Sequence, residues 1–238
     1  MAALDRIRLT GLLRESPASA GLSYAPCSQM PTDIQHPLFA RLFDRLSRVM
    51  ERDVGVRRDE LLAGLSGRVL EIGPGNGMNF SHYPGTVEEV VALEPEPYLR
   101  AKAHDAARTA RVPVSVRAGV ADHLELPDAS FDAAVASLVL CSVPEQASAL
   151  AELRRVLKPG GELRFMEHVR SSNPGKARLQ TILDGAGIWP HVSGGCHCAR
   201  DTVTAMRVAG FRVERVSSIG FGPSWLITNP HVLGCAVR

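Results

Sequence analysis

The stretch Arg68-Val69-Leu70-Glu71-Ile72-Gly73-Pro74-Gly75-Asn76-Gly77 decides how the rest of the chain is read. A short apolar run leads directly into three glycines and a helix start. Glycine lets a backbone turn sharply and approach a ligand with no Cβ in the way. An ordinary structural turn would use the same residues, so the flanking pattern has to choose between the two. A dinucleotide-binding loop, G-x-G-x-x-G, needs its third glycine where Met78 stands; here the third glycine falls one residue earlier, at Gly77. That departure argues against a nicotinamide dinucleotide. Glu71, ahead of the first glycine, suits a ligand that carries an amino acid, whose ammonium it can attract directly or through water.

Outward from this loop the chain alternates. Apolar runs at 68–72, 89–93, 113–117, 132–137, 161–166, 211–218 and 231–237 predict strands, and the segments near 77–82, 95–109, 145–157 and 200–209 predict helices. Such alternation builds an α/β, doubly wound, mostly parallel sheet with helices on both faces. Ligands in such sheets sit beyond the carboxyl ends of the strands. Glu94 closes the second strand, where a carboxylate can accept two hydrogen bonds from ribose hydroxyls. Asp122 follows the third strand, where a carboxylate or a backbone amide meets an adenine edge. Upstream, Leu38, Phe39, Leu42, Phe43, Leu46 and Val49 recur at helical spacing and predict an amphipathic helix from His36 to Met50. It packs on the core, and its aromatic end is placed to cover a pocket.

Residues 1–32 are broken by Ser16, Pro17, Ser19, Gly21, Pro26 and Pro31 and read as a flexible tail. Residues 33–238 then form one domain, with lid segments near 33–54, 171–199 and 220–230. The 171–199 stretch reads as a long loop holding Trp189 and several glycines, to be joined by Phe221, Pro223 and Trp225 over a small apolar acceptor; packing of this stretch on the sheet edge is an equal alternative.

The 238 residues suffice for a core that needs no disulfide. The net charge is only +2, and the 27 basic residues, nearly all arginine, are spread along the chain, so no nucleic-acid footprint is expected. Five scattered cysteines fit a reducing, cytoplasmic setting. No apolar run is long enough for an integral membrane segment, and charges interrupt the first residues. Cys196-His197-Cys198 lacks the spacing and ligand number of a structural zinc site, so no metal is expected there.

Glu71-Ile72-Gly73-Pro74-Gly75-Asn76-Gly77, the acid at Glu94, Pro127-Asp128-Ala129-Ser130-Phe131-Asp132 and Val156-Leu157-Lys158-Pro159-Gly160-Gly161-Glu162-Leu163, in this order, resemble the class I S-adenosylmethionine-dependent methyltransferases. The resemblance implies a Rossmann-like seven-stranded sheet with an antiparallel last strand, which a hairpin from residues 211–237 can complete. It implies S-adenosyl-L-methionine as cofactor, held by Glu71, Gly73, Gly75, Asn76, Gly77, Glu94, Pro95, Asp122, His123 and Leu138. Leu138-Val139-Leu140-Cys141-Ser142-Val143, Phe165-Met166-Glu167-His168-Val169, Gly195-Cys196 and Pro230-His231-Val232-Leu233-Gly234-Cys235-Ala236-Val237 look like the methyltransferase-like proteins that methylate alkyl thiols. Those proteins carry an apolar N-terminal anchor, which residues 1–14 do not match, and Val120 and Ala121 stand where they have glycine and glutamate. The implied acceptor is a small, fairly apolar thiol; O-, N- or C-methylation of a lipid or natural product, and a non-catalytic cofactor-binding module, are the alternatives.

Methyl transfer from a sulfonium is mainly a matter of alignment. A base is needed only if the nucleophile must lose a proton, and a thiol, with a pKa of about 8.5, is already partly ionised near neutrality. No residue stands out as a base. His168, Glu167 and His197 are the candidates, each also explicable as a packed or solvated side chain.

Overall fold

The computed structural model describes residues 36–221, 223 and 225–238. The expected tail, residues 1–32, lies outside them. Seven strands form one sheet in the order β3-β2-β1-β4-β5-β7-β6. They are β1 (Gly67–Ile72), β2 (Val87–Leu93), β3 (Val114–Arg117), β4 (Phe131–Ser137), β5 (Leu157–His168), β6 (Arg212–Gly220) and β7 (Pro230–Val237). The first five are parallel, β7 runs antiparallel to β5, and β6 pairs antiparallel with β7. This is the doubly wound seven-stranded sheet with a reversed last strand that the resemblance implied.

The central strands are apolar on both faces because helices cover both. Leu70, Ile72, Val91, Leu93, Ala134 and Ala136 pack into one core with α3 (Gln146–Val156) and α6 (Thr202–Val208). Val69, Val90, Ala92, Ala133, Val135 and Met166 face the opposite core, under α1 (Pro37–Leu62) and α2 (Pro97–Ala107). Each fully buried Val or Leu contributes about 1.5–3 kcal/mol relative to exposure. The period-two alternation within β1 therefore fixes which face each helix must cover.

Three sequence expectations change. The first helix does not stop at Met50; it continues to Leu62, because Val54, Leu61 and Leu62 are buried against the sheet. The segment 77–82 is a turn ending in a short 3-10 helix, Phe80–His82, rather than a longer helix. Gly77 explains the tightness: its φ is +81°, and a Cβ there would stand 2.8 Å from Ala106 Cβ and 2.9 Å from the Phe80 ring. The third glycine thus lets the loop pack against α2. Lastly, 171–199 is not a featureless loop. It holds α4 (Pro174–Gly185), started by Asn173, whose side chain accepts from Lys176 N, and α5 (Ile188–Val192). Among the described residues no helix is long and apolar enough to cross a membrane.

Candidate active site

A cavity of about 280 Å³ opens at the carboxyl ends of β1, β2 and β4. Gly73, Gly75, Glu94, Pro95, Asp122 and Leu138 line it, as do Phe39 and Phe43 from α1. Glu71, Asn76, Gly77 and His123 do not.

Glu94 ends β2 and is 5% exposed. Its two carboxylate oxygens accept from Gly75 N at 2.8 Å and Glu96 N at 3.0 Å. One oxygen steadies the glycine loop and the other the start of α2, and each keeps a lone pair for a ligand. Burial pushes its pKa up to about 7. Gly73 has φ +56°, and a Cβ there would meet Val139 Cγ2 at 2.5 Å. Any side chain would therefore drive the β1 loop away from the β4 turn and deform the cavity floor.

Glu71 lies behind the loop rather than in the cavity. It is 1% exposed and accepts from Asn79 Nδ2 at 2.7 Å and from the Tyr83 hydroxyl at 2.8 Å. Burial raises its pKa to about 7. Asn79 Oδ1 accepts in turn from Arg58 Nη1 at 2.6 Å, which ties β1 to α1. Asn76 makes a second tie, donating to Asp44 Oδ1 and Ser47 Oγ of α1, both at 2.9 Å. These two residues fix the loop and its roof. Sequence spacing puts them near the ligand but does not say which way their side chains turn.

Of the candidate bases, Glu167 is fully buried, and both its oxygens are occupied. They accept from the backbone N–H groups of Val139, Leu140 and Cys141 at 3.1, 3.0 and 3.2 Å. These amides belong to the turn after β4, where Leu138 sits at φ +61°. Burial raises the Glu167 pKa to about 7. His168 is 3% exposed, with Nδ1 3.3 Å from Cys196 Sγ. Its register partner across β5 and β7 is His231, stacked at 5.1 Å, which burial pulls down to about 4. His197 N donates to Cys141 O at 2.8 Å. None of the three candidates lines the cavity.

Ser142 and Val143 also line the cavity, though sequence reasoning gave them no place in the site, and Gly194 and Gly195 bring the expected 171–199 lid segment to it, with Gly194 against Phe39 of α1. The Gly194-Gly195 pair was the available signal, since both adopt positive φ. Residues 220–230 contribute no described residue to this wall: Phe221 packs edge-on against His231 at 4.7 Å, and Trp225 is 75% exposed. Among the described residues no group of three or more His, Cys, Asp or Glu side chains is arranged to hold a metal.

A reversed seventh strand distinguishes this sheet from an all-parallel dinucleotide-binding one, and a buried carboxylate at the tip of β2 faces a glycine loop across the cavity. Together they define the class of S-adenosylmethionine-dependent methyltransferases. Residues 70–165 match the family model described as a methyltransferase domain. The chain is 36% identical over 183 residues to thiol S-methyltransferase TMT1B of Homo sapiens, covering 74% of each, and 35% identical to thiol S-methyltransferase TMT1A of Homo sapiens, covering 74% of this chain and 73% of that one. A crystal structure of an S-adenosylmethionine-dependent methyltransferase from Thermotoga maritima, a possible histamine N-methyltransferase, superposes with a TM-score of 0.60 at 24% identity, covering 84% of this chain and 98% of that one. The chain belongs to the S-adenosylmethionine-dependent methyltransferases and uses S-adenosyl-L-methionine as its methyl donor.

Proposed function

We propose that the protein methylates a small, fairly apolar thiol. The observation that carries this is the acceptor end of the cavity. Phe39, Val139, Val143, Gly194 and Gly195 give the cavity an apolar wall, none of the candidate bases His168, Glu167 and His197 lines it, and His36, at the start of α1, is the one imidazole among its described lining residues. The similarity to thiol S-methyltransferases supports the same reading. Free thiols at Cys141, Cys196, Cys198 and Cys235 support a reducing, cytoplasmic setting.

The donor carries its methyl group on a sulfonium, ready for in-line displacement. Glu94 accepts the ribose hydroxyls, and Asp122 with the neighbouring backbone meets the adenine edge. Gly73, Gly75 and Leu138 let the backbone come close to the methionine end. The apolar wall strips water from an incoming thiolate and holds its sulfur in line with the methyl carbon. When bound, the donor would supply the methyl group to the thiolate sulfur and depart as S-adenosylhomocysteine.

A small alkyl thiol should therefore be turned over while the matched alcohol, amine and phenol are not, with release of S-adenosylhomocysteine as the readout. The rate should rise with pH as the thiolate fraction grows. Turnover of a phenol or amine with no thiol reacting would reject the thiol acceptor.

Cofactor binding should also depend on pH, with the opposite group in control. Glu94 titrates at about 7 in the free protein. Both oxygens already accept a backbone N–H, so only the anion can also take two ribose hydroxyls, and binding favours loss of the proton below that pH. Affinity for S-adenosylhomocysteine should be flat above about pH 7 and fall toward about tenfold per pH unit below it. Calorimetry in buffers of different ionisation enthalpy would register the released proton. A pH-independent affinity between pH 5 and 8 contradicts the assignment.

A further inference from the structure

Beside the cavity, the strip Gly194-Gly195-Cys196-His197 crosses the turn after β4. His197 N donates to Cys141 O at 2.8 Å, and a Cβ on Gly195 would stand 3.1 Å from Ser142 O. This close backbone approach sets the Cys141 thiol against the Cys196 sulfur. His168 Nδ1 lies 3.3 Å from the same sulfur, and its Nε2 is buried with no partner. Trp189 Nε1, also buried and without an ordinary hydrogen-bond acceptor, is turned toward it as well.

The Cys141 thiol and His168 Nδ1 beside this sulfur favour its anion, and the Trp189 indole adds to them without completing a hydrogen bond. The Cys141 thiol, then His168 and Trp189, pull Cys196 down to about 5 against the opposing effect of burial. Arg200 adds a positive charge nearby, while Glu167 and Cys198 oppose. Cys141 is pushed the other way, by the same contact and by burial, and stays a thiol. Cys196 is thus favoured as the nucleophile of the pair and Cys141 as its thiol partner, and neither cysteine lines the cavity.

We propose that Cys196 and Cys141 form a thiol–disulfide exchange pair that opens low-molecular-weight disulfides. The Cys196 thiolate attacks one sulfur of a disulfide R–S–S–R, forming Cys196–S–S–R and expelling RS⁻, which takes a proton from water. Cys141 then loses its proton to solvent and attacks Cys196 Sγ. A Cys141–Cys196 disulfide forms and the second half leaves as RSH. The two protein thiols are oxidised, the small disulfide is reduced to two thiols, and nothing else is consumed. Cys198 does not compete: its thiol donates to Asp184 Oδ1 at 3.2 Å, and its pKa is pushed up to about 12 by burial and that carboxylate. Gly195 and Ser142, the neighbours of the pair, both line the cavity. The released thiols therefore belong to the class that the cavity is inferred to methylate. That last link rests on the thiol acceptor; the exchange chemistry does not.

The test uses the full chain, reduced, desalted and treated at pH 6 with diethyl disulfide or with oxidised glutathione. Peptide mapping without reductant should show Cys141 joined to Cys196 and a mass loss of two hydrogens. C141S should stop at a lasting Cys196 mixed disulfide. C196S should melt at the same temperature as the parent and consume the disulfide at least about a hundredfold more slowly. The proposal is overturned if adducts collect on Cys27, Cys198 or Cys235, if C196S reacts as fast as the parent, or if the parent keeps a Cys196 mixed disulfide without closing onto Cys141. A cross-link in a protein that methylates no thiol upholds the exchange pair and rejects only the thiol acceptor.

Discussion

Glu94→Ala should weaken S-adenosylmethionine binding roughly 100-fold, about 2.7 kcal/mol, in a protein that still folds. Two losses add. The ribose hydroxyls lose a charged acceptor, worth about 1.5–3 kcal/mol. The N–H groups of Gly75 and Glu96 also lose the oxygens that hold them, so the glycine loop and the start of α2 are no longer set for the ligand. Glu94→Gln should recover only part of this. Its single carbonyl oxygen can satisfy one N–H, while its amide faces the other donor. Titration calorimetry with S-adenosylhomocysteine, beside circular dichroism to confirm the fold, checks both variants. Unchanged affinity in Glu94→Ala would remove Glu94 from the cofactor site.

The second large effect belongs to Glu167. Its removal strands three backbone N–H groups, buried at Leu140 and Cys141 and half-buried at Val139. At about 1–3 kcal/mol for each unsatisfied donor, Glu167→Ala should cost about 3–6 kcal/mol of stability and lower the melting temperature by roughly 10 °C or more. Glu167→Gln should be intermediate. Its carbonyl oxygen can keep the Val139 and Leu140 bonds, both made to Oε1, and only the Cys141 bond is lost. The same turn carries Leu138, Val139 and Ser142 of the cavity wall, so activity should fall in step with stability. A general base would behave differently: turnover would collapse in Glu167→Ala with the melting temperature unmoved. That outcome would return Glu167 to the list of catalytic residues.

How these carboxylates were read from the sequence shows what pattern can and cannot decide. Glu71, Glu94 and Glu167 all end or nearly end strands at the ligand side of the sheet, and each looks available there. Strand position fixes which end of the sheet a residue occupies. It does not fix whether a neighbour has already claimed its oxygens. Tyr83 and Asn79 claim Glu71, and a backbone turn claims Glu167, while Glu94 alone lines the cavity. The helices of 171–199 were more legible than the loop reading allowed. Asn173-Pro174 is a helix start of ordinary form, a capping side chain followed by a residue with preset φ. Exposed Leu179 and Ile182 obscured it, because α4 buries little of its apolar face and its hydrophobic pattern points at no obvious core.

The sequence by itself determined the strand–helix alternation, the glycine loop after β1 and the acid at the tip of β2, because each is a local pattern of period, turn chemistry or spacing, and the resemblance carried by its motifs implied the seven-stranded sheet. Tertiary structure alone decided that α1 roofs the loop through Asp44, Ser47 and Phe43, that Glu71 and Asn76 brace the loop, and that Cys141 and Cys196 come together. Those contacts join residues far apart in the chain, and only the packing of α1 and the 188–199 strip over the strand ends brings them together.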